Sequence, residues 1–410
     1  MNKNELIPNL FRTEYSKIVS VLCTRYGLAN IELAEDFVSD SFLKAAETWK
    51  LKGIPDNPSA WLYAVSKNNA KDYFKRNEIF KSKIASELIP NIDFETFDID
   101  LSEDNIQDSQ LQMLFAVCNP INTNESQIAL ALRILCGFGI EEIANALLSN
   151  KQTINKKLYR AKEKLRTNNI DLSFPTTKEL ESRLDNVLHI LYLLFNEGYY
   201  SSTASITISK DLCFEAMRML YLLTENNKTN LPKTNALMAL FCFHASRFDA
   251  RTDQFGQQIL YDNQDKTKWN FELIAKGESY LKKSAIGNQI TKYHLETLIA
   301  FWHTRTEFNP IEKWENILQL YNRLLQIEYS PITALNRTYA LSIAKGKEIA
   351  LKEALKIDLQ KNHLYHSLLA KLYVGIDKKK QIEHLKIALT LTDNEKDQSV
   401  LMIKLKNANA

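Results

Sequence analysis

The chain has 410 residues, of which 45% are hydrophobic and 25% charged, and its net charge is only +3. That length exceeds a single hydrophobic core and predicts two or three domains. The near-neutral balance excludes a wholly basic coat, so any contact with a polyanion must come from local patches. Its 10 glycines and 9 prolines are too few for many strand turns and favour an all-α fold.

In chain order, MNKNELIPNLFRTEY lacks the apolar core of a signal peptide. Residues 5–83 read as amphipathic helices. Asn30 is placed to cap a helix through LAEDFVSDSFLKAAETW, with Leu33, Phe37, Phe42, Ala45 and Trp49 along one side. Gly53, Pro55 and Pro58 then punctuate a turn before SAWLYAVSKNNAKDYFKR. The end of that helix is basic, with Lys67, Lys71, Lys75, Arg76, Lys81 and Lys83 outnumbering Asp72 and Glu78.

The sign then inverts. Between 84 and 132 there is no lysine or arginine, and Glu87, Asp93, Glu95, Asp98, Asp100, Glu103, Asp104, Asp108 and Glu125 stand unopposed. The first part of this stretch has no helical period and reads as an acidic linker over 86–110. Helical pattern resumes at 111–118, and Asn124 with Gln127 forms a capping pair for a helix ending at Gly137.

Residues 139–166, GIEEIANALLSNKQTINKKLYRAKEKLR, are the most informative stretch of the chain. Ile140, Ile143, Ala144 and Leu147 give a short helix an inward face. Asn150 is placed to cap a second helix, anchored by the stripe Ile154, Leu158, Ala161 and Leu165. Around that stripe Lys151, Lys156, Lys157, Arg160, Lys162, Lys164 and Arg166 face one acid, Glu163. Two short helices joined by a tight turn make a helix-turn-helix, whose second helix fits the major groove and reads bases near its N-terminus. Lys151, Gln152, Asn155, Lys156 and Arg160 are the candidates. Gln and Asn pair adenine, while Lys and Arg serve guanine or phosphate. The plainer reading is a solvated basic face on an ordinary hairpin. Leu148 stands where many such turns carry glycine.

The stretch 185–410 is a string of apolar-periodic segments, 211–224, 234–247, 291–307, 311–327, 331–345 and 362–374, with short polar breaks. Residues 314–347 resemble one tetratricopeptide-like helical pair, whose period is about 34 residues, so stacked helical hairpins are predicted. The polar run FDARTDQFGQQILYDNQD (248–265) breaks the pattern and reads as a loop or small hairpin around Gln254–Gln257. The apolar run 187–195 contains His189 and is too short to span a bilayer, which takes about 20 residues. The five cysteines form no CxxC pair or zinc spacing and read as buried small hydrophobes in a reducing compartment. A cytoplasmic protein without metal or cofactor, and making no contact with a membrane, is expected.

The order of these blocks resembles the extracytoplasmic-function (ECF) sigma factors of the bacterial sigma-70 family. AEDFVSDSFLKA (34–45) is similar to their polymerase-binding helix. NPSAWLYAVSKNNAKDYFKR (57–76) is similar to the promoter −10 segment, and IEEIANALL with TINKKLYRAKEKLR to the −35-reading domain. LYLLFNEGYYSS, DLCFEAMRML, DNQDKTKWNFELIAKG and SPITALNRTYA resemble segments of a subgroup with a tetratricopeptide-like C-terminal extension. The chain departs from the pattern at DSQL (108–111) and at Asn270.

The resemblance implies region 2 over 1–85, a linker over 86–110, region 4 over 111–170 and a regulatory helical domain over 185–410. It implies bacterial core RNA polymerase as partner, through the β′ clamp helices and β flap, together with promoter DNA. Asp36, Asp40 and Phe42 would meet the clamp. Lys67, Asn68, Asp72 and Arg76 would lie near the −10 element, where a base leaves the stack at a cost of a few kcal/mol. Trp61 and Tyr73 offer rings for it, though Trp61 reads first as core. The acidic linker would thread a cationic polymerase channel, unless it is a plain spacer. A protein or peptide partner for the C-terminal domain stays open.

Two other readings stand beside this one. A helix-turn-helix regulator with a peptide-sensing C-terminal domain accounts for 139–166 and 185–410 but leaves 30–83 idle. An enzyme would use Asp249, Arg251, Asp253, Asp262 and Asp265, but no phosphate loop or nucleophile elbow accompanies them, and Arg–Asp pairing in a loop is the plainer account. Glu197 in Asn196-Glu197-Gly198-Tyr199 reads as a buried polar anchor or an effector contact, with Gly198 stopping the helix.

Overall fold

A computed structural model describes residues 3–85, 99–199, 206–251, 259, 261–392 and 395–409. Among them no strand occurs, and the all-α expectation is met. Two compact units emerge, Met1–Glu197 and Gly198–Ala410.

Unit 1 runs through α1 (Lys3–Tyr26), α2 (Ile31–Lys52), α3 (Pro58–Ala85), α4 (Glu103–Val117) and α5 (Asn124–Leu130). A π-helical turn over Ala131–Leu135 follows, then α6 (Ile140–Ala146), α7 (Lys151–Thr167) and α8 (Thr177–Tyr199), whose last two residues belong to unit 2. α1 packs against α2, α3, α4 and the π turn, so the expected first and second domains share one core. Tyr15, Ile18 and Val19 of α1, Leu62 of α3, and Met113 and Leu114 of α4 are fully or almost fully buried. Gly137 closes the π turn at φ 68°, where a Cβ would lie 3.4 Å from the Tyr15 ring. The left-handed backbone is what favours glycine there, since a Cβ would make only an ordinary contact with the ring.

The elements differ from the sequence expectation at several ends. α4 begins inside the stretch read as linker. Its Glu103 and Asp104 sit in the first turn, where acids complement the helix dipole, and Ser102 accepts from the Asn105 amide. The linker residues 86–98 lie outside the described residues. Asn30 precedes α2 without capping it, because its Nδ2 instead donates to the Tyr26 carbonyl at 2.6 Å. Thr123, not Asn124, caps α5, while Gln127 is buried and donates to the Asn122 carbonyl at 2.7 Å. Gly198 does not stop α8, which continues to Tyr199.

The first part of α8 is built into unit 1. Arg183 donates to the Phe115 carbonyl at 2.6 Å, and Asn186 donates to the Cys118 carbonyl and to Gln127 Oε1. The boundary between the compact units therefore falls at Glu197, beyond the 170–185 interval expected from the sequence.

Unit 2 contains α9 (Ile206–Glu225), α10 (Pro232–Ala245), α11 (Phe248–Arg251), α12 (Phe271–Ser284), α13 (Lys292–Thr304), α14 (Pro310–Ile327) and α15 (Pro331–Ala344). It continues with α16 (Lys347–Ala354), α17 (His363–Tyr373), α18 (Lys378–Thr390) and α19 (Glu395–Asn409). α10 is buried on nearly every side and carries α9, α12 and α13 around it, as befits a helix apolar all round. Gly277 of α12 allows the tightest of these approaches, since a Cβ there would lie 2.7 Å from the Phe243 ring. From α13 to α19 each helix packs on the next, with Trp314, Ile317, Leu335, Leu341 and Leu369 in the core of α13 to α17, and Leu385, Ala388 and Leu401 in a second cluster that takes in α18 and α19.

Candidate nucleic-acid interface

The turn between α6 and α7 is held by backbone geometry. The Ser149 amide reaches back to the Ala144 carbonyl at 2.8 Å, while Leu148 takes φ 48°. This is a Schellman stop with leucine in the left-handed position usually given to glycine. Asn150 Oδ1 then accepts from the Thr153 amide at 2.8 Å and starts α7. At the other end of α6, Glu142 accepts from the Gly139 amide at 2.7 Å and pairs with Arg12 of α1 at 3.2 Å.

Ile154, Leu158, Ala161 and Leu165 bury one face of α7. Four of the cations are consumed within the chain. Lys151 pairs with Glu141, Lys157 with Glu125, Arg166 with Glu163, and Lys162 with Glu35. Lys156, Arg160 and Lys164 are exposed, and no ion pair with another described residue engages them. With Gln152 they form an i, i+4 row, and exposed Asn155 and Tyr159 stand beside it. The row is the part of the basic helix left open to a polyanion.

α3 is fixed against α2 by hydrogen bonds. Ser66 donates to Ser41, and Asn69 donates to Ser41 and accepts from Lys44 at 2.8 Å. That leaves Asn68, Asp72 and Arg76 on an exposed face with Lys71 and Lys75. Lys67 differs, being half-buried with its ammonium donating to the Ile99 carbonyl at 3.1 Å. Tyr73 is 40% exposed, whereas Trp61 is half-buried edge-on to Trp49. The side chains of Glu78, Lys81 and Lys83 lie outside the described residues.

On α2, Glu32, Asp36 and Asp40 form an exposed acidic row. Partial burial, then the neighbouring carboxylates Glu35, Asp40 and Glu32, raise the Asp36 carboxyl above its usual range. Phe42 does not belong to that face and corrects the sequence expectation. It is 5% exposed and packs edge-on to Phe11 with ring centroids 4.9 Å apart, because its apolar stripe faces α1. The exposed hydrophobic beside the row is Leu43.

Sequence reasoning missed the group that joins these surfaces. Glu35, 5% exposed, accepts from Tyr15 Oη at 3.0 Å and Arg133 Nε at 2.8 Å, and its other oxygen meets Lys162. The partners are distant in sequence. The available signal was that Lys162 falls between Leu158, Ala161 and Leu165 on the inward stripe. Burial and the Glu35 carboxylate push the Tyr15 phenol upward.

In unit 2 the carboxylates of the polar stretch do not converge. Asp249 pairs with Lys210 at 2.6 Å, and Asp265 accepts from the Thr267 amide and hydroxyl. Asp253, the Asp262 side chain and the expected hairpin at Gln254–Gln257 lie outside the described residues. Glu197 is exposed, not a buried anchor, though burial and then Glu125 raise its carboxyl. Among the described residues no His, Cys, Asp or Glu group suits a metal, and no helix is long and apolar enough to cross a membrane.

Residues 10–79 match Sigma-70 region 2, and residues 183–285 match a family of unknown function (DUF6596). An uncharacterized protein of Rhizobium meliloti (strain 1021) is 32% identical over 343 residues, covering 83% of this chain and 81% of its own. The ECF RNA polymerase sigma-E factor of Haemophilus influenzae is 29% identical over 161 residues, covering 38% of this chain and 83% of its own. No solved structure matches. The region 2 match falls on α1, α2 and α3, which carry the acidic row and the Asn68–Arg76 face, so the chain contains a Sigma-70 region 2, and it belongs to one family with the uncharacterized Rhizobium meliloti protein.

Proposed function

We propose that this protein is an ECF-type RNA polymerase sigma factor that directs promoter-specific initiation. In this reading, Asp36, Asp40 and the adjacent Leu43 face the clamp helices of core polymerase. Asn68, Asp72 and Arg76, with Lys67 once it leaves Ile99, work at the −10 element. Gln152, Asn155, Lys156 and Arg160, with Lys151 at the helix start, read the −35 element from the major groove. Unit 2 acts as a tetratricopeptide-like regulator in cis, and the protein works in the cytoplasm without catalysing a reaction of its own.

The observation that carries the reading is the open row Lys156, Arg160 and Lys164 on the helix after the turn, in one chain with a region 2. The test is run-off transcription with core polymerase on promoters from the host genome, where promoter-dependent transcripts are expected. Replacing Lys156 or Arg160 with Ala should weaken promoter binding and lower the salt slope by about one each. Tight duplex binding without polymerase, and no transcript with it, would sink the proposal and favour a free-standing regulator.

A further inference from the structure

Unit 2 buries positive charge against aromatic rings without a described counter-charge. Arg247, just past α10, is 8% exposed. One of its guanidinium nitrogens donates to Tyr199 Oη at 3.2 Å, and the group lies 5.5 Å from the Tyr261 ring centre, while its Nε has no hydrogen-bond partner. Arg251, at the end of α11, donates to the Tyr199 carbonyl at 3.1 Å and lies 3.6 Å from the centre of that ring. Neither arginine forms an ion pair with a described residue.

The same rings gather further donors. Trp269, 4% exposed, has its ring 6.4 Å from Tyr261, and its indole N–H has no acceptor. His303 packs edge-on to Tyr261 at 5.0 Å and to Trp314 at 5.5 Å, and its Nδ1 has no partner. Lys313 donates to Tyr261 Oη at 2.9 Å. Asp249 and Asp265, the nearest acids in sequence with described side chains, are spent on Lys210 and Thr267.

Burying a guanidinium without an anion costs several kcal/mol. The tyrosine faces recover part of it. Water would satisfy the Arg247 and Trp269 donors, but it supplies no charge. Among the described residues no carboxylate answers the two guanidiniums, and an anion would complete the cluster. The surrounding rings favour a flat, apolar body behind the charge.

We propose that this cluster binds a small organic oxyanion, a carboxylate or phosphate on an aromatic or similarly flat body. Arg247 and Arg251 pair with the oxyanion, the Trp269 indole and the His303 ring donate to it, and the aromatic surroundings favour a flat body. Most of these residues fall within 183–285, the stretch shared with the family of unknown function. The inference does not depend on promoter recognition by unit 1.

The test is calorimetric titration and thermal melting of the full chain with benzoate, phenyl phosphate and inorganic phosphate. Saturable binding and a rise in Tm are expected with at least one aromatic anion. The better of benzoate and phenyl phosphate identifies the charged group, and weaker binding of inorganic phosphate reports the contribution of the flat body. R247M should lose about tenfold or more in affinity, as expected for a charged hydrogen bond. Should R247M fail to fold, as circular dichroism would reveal, W269F keeps the ring volume, removes the donor and should also weaken binding. K156A, on α7 of the first unit, should bind normally. No saturable binding of either aromatic anion to the wild-type chain would overturn the proposal, as would undiminished binding in W269F and in a folded R247M. D253N covers the remaining arrangement: a gain of anion binding only in that variant would assign the counter-charge to this chain and overturn the ligand site.

Discussion

One carboxylate, Glu35, receives groups from α1, the π turn and α7. Removing its charge while keeping its shape leaves Arg133 and Lys162 half-buried and unpaired. E35Q should therefore destabilise unit 1 by about 3 kcal/mol, the lower end of the range because Arg133 keeps some solvent. Chemical denaturation of the full chain, following the first transition, checks this; an unchanged midpoint would show the ion pairs to be ornamental. Glu35 was not legible in the sequence, because its partners lie 98 and 127 residues away. Phe42 was misread for a related reason. A position on an apolar stripe faces the core unless the helix has a second partner, and α1 supplies that core. By contrast, Asn150 was legible as the cap of α7 because capping is decided within three residues.

At the scale of elements, helix existence followed from apolar period, and helix ends followed only where local chemistry was unambiguous. The segments expected at 211–224, 331–345 and 362–374 appear as α9, α15 and α17 within a few residues, apart from an earlier start to α9. The α4 start escaped notice because its acids were read as linker charge, when acids in a first helical turn are favourable. The packing of α12 on α10 was also invisible, since Gly277 looks like any helix-weakening glycine. Alanine there gains about 1 kcal/mol of helix propensity but forces a contact with the fully buried Phe243, and overpacking costs about 1–3 kcal/mol. The clash should win. G277A is expected to lower the Tm of the second unit in calorimetry, and a higher Tm would mean that Phe243 yields.

For the whole molecule, the decisive difference from the sequence expectation is the boundary at Glu197. A chain ending at 170 would strip α8 from the Phe115 and Cys118 carbonyls, whereas one ending at 197 keeps those bonds. The 1–197 chain should melt cooperatively and well above the 1–170 chain, which circular dichroism would test directly. Equal melting would return the boundary to the 170–185 interval expected from the sequence.

Acid should act chiefly on the second unit. Burial, then nearby Arg247, depresses His303 to about 3, and burial, then Arg247 and Arg251, holds His244 well below its usual 6.5. Both are neutral when folded, so their contribution is present above about pH 6.5 and fades as pH falls toward 3. Melting of the second unit should drop between pH 7 and 4, and H303Q should flatten that drop.

Glu35 also bears on hybrids between relatives. A chimaera joining the first half of one chain to the second half of another is a graft across this carboxylate, which draws its acid from before the linker and two bases from after it. Such grafts carry a compatibility rule. The incoming half must supply bases equivalent to Arg133 and Lys162, or the recipient is left with a sequestered anion that no matching of recognition residues repairs.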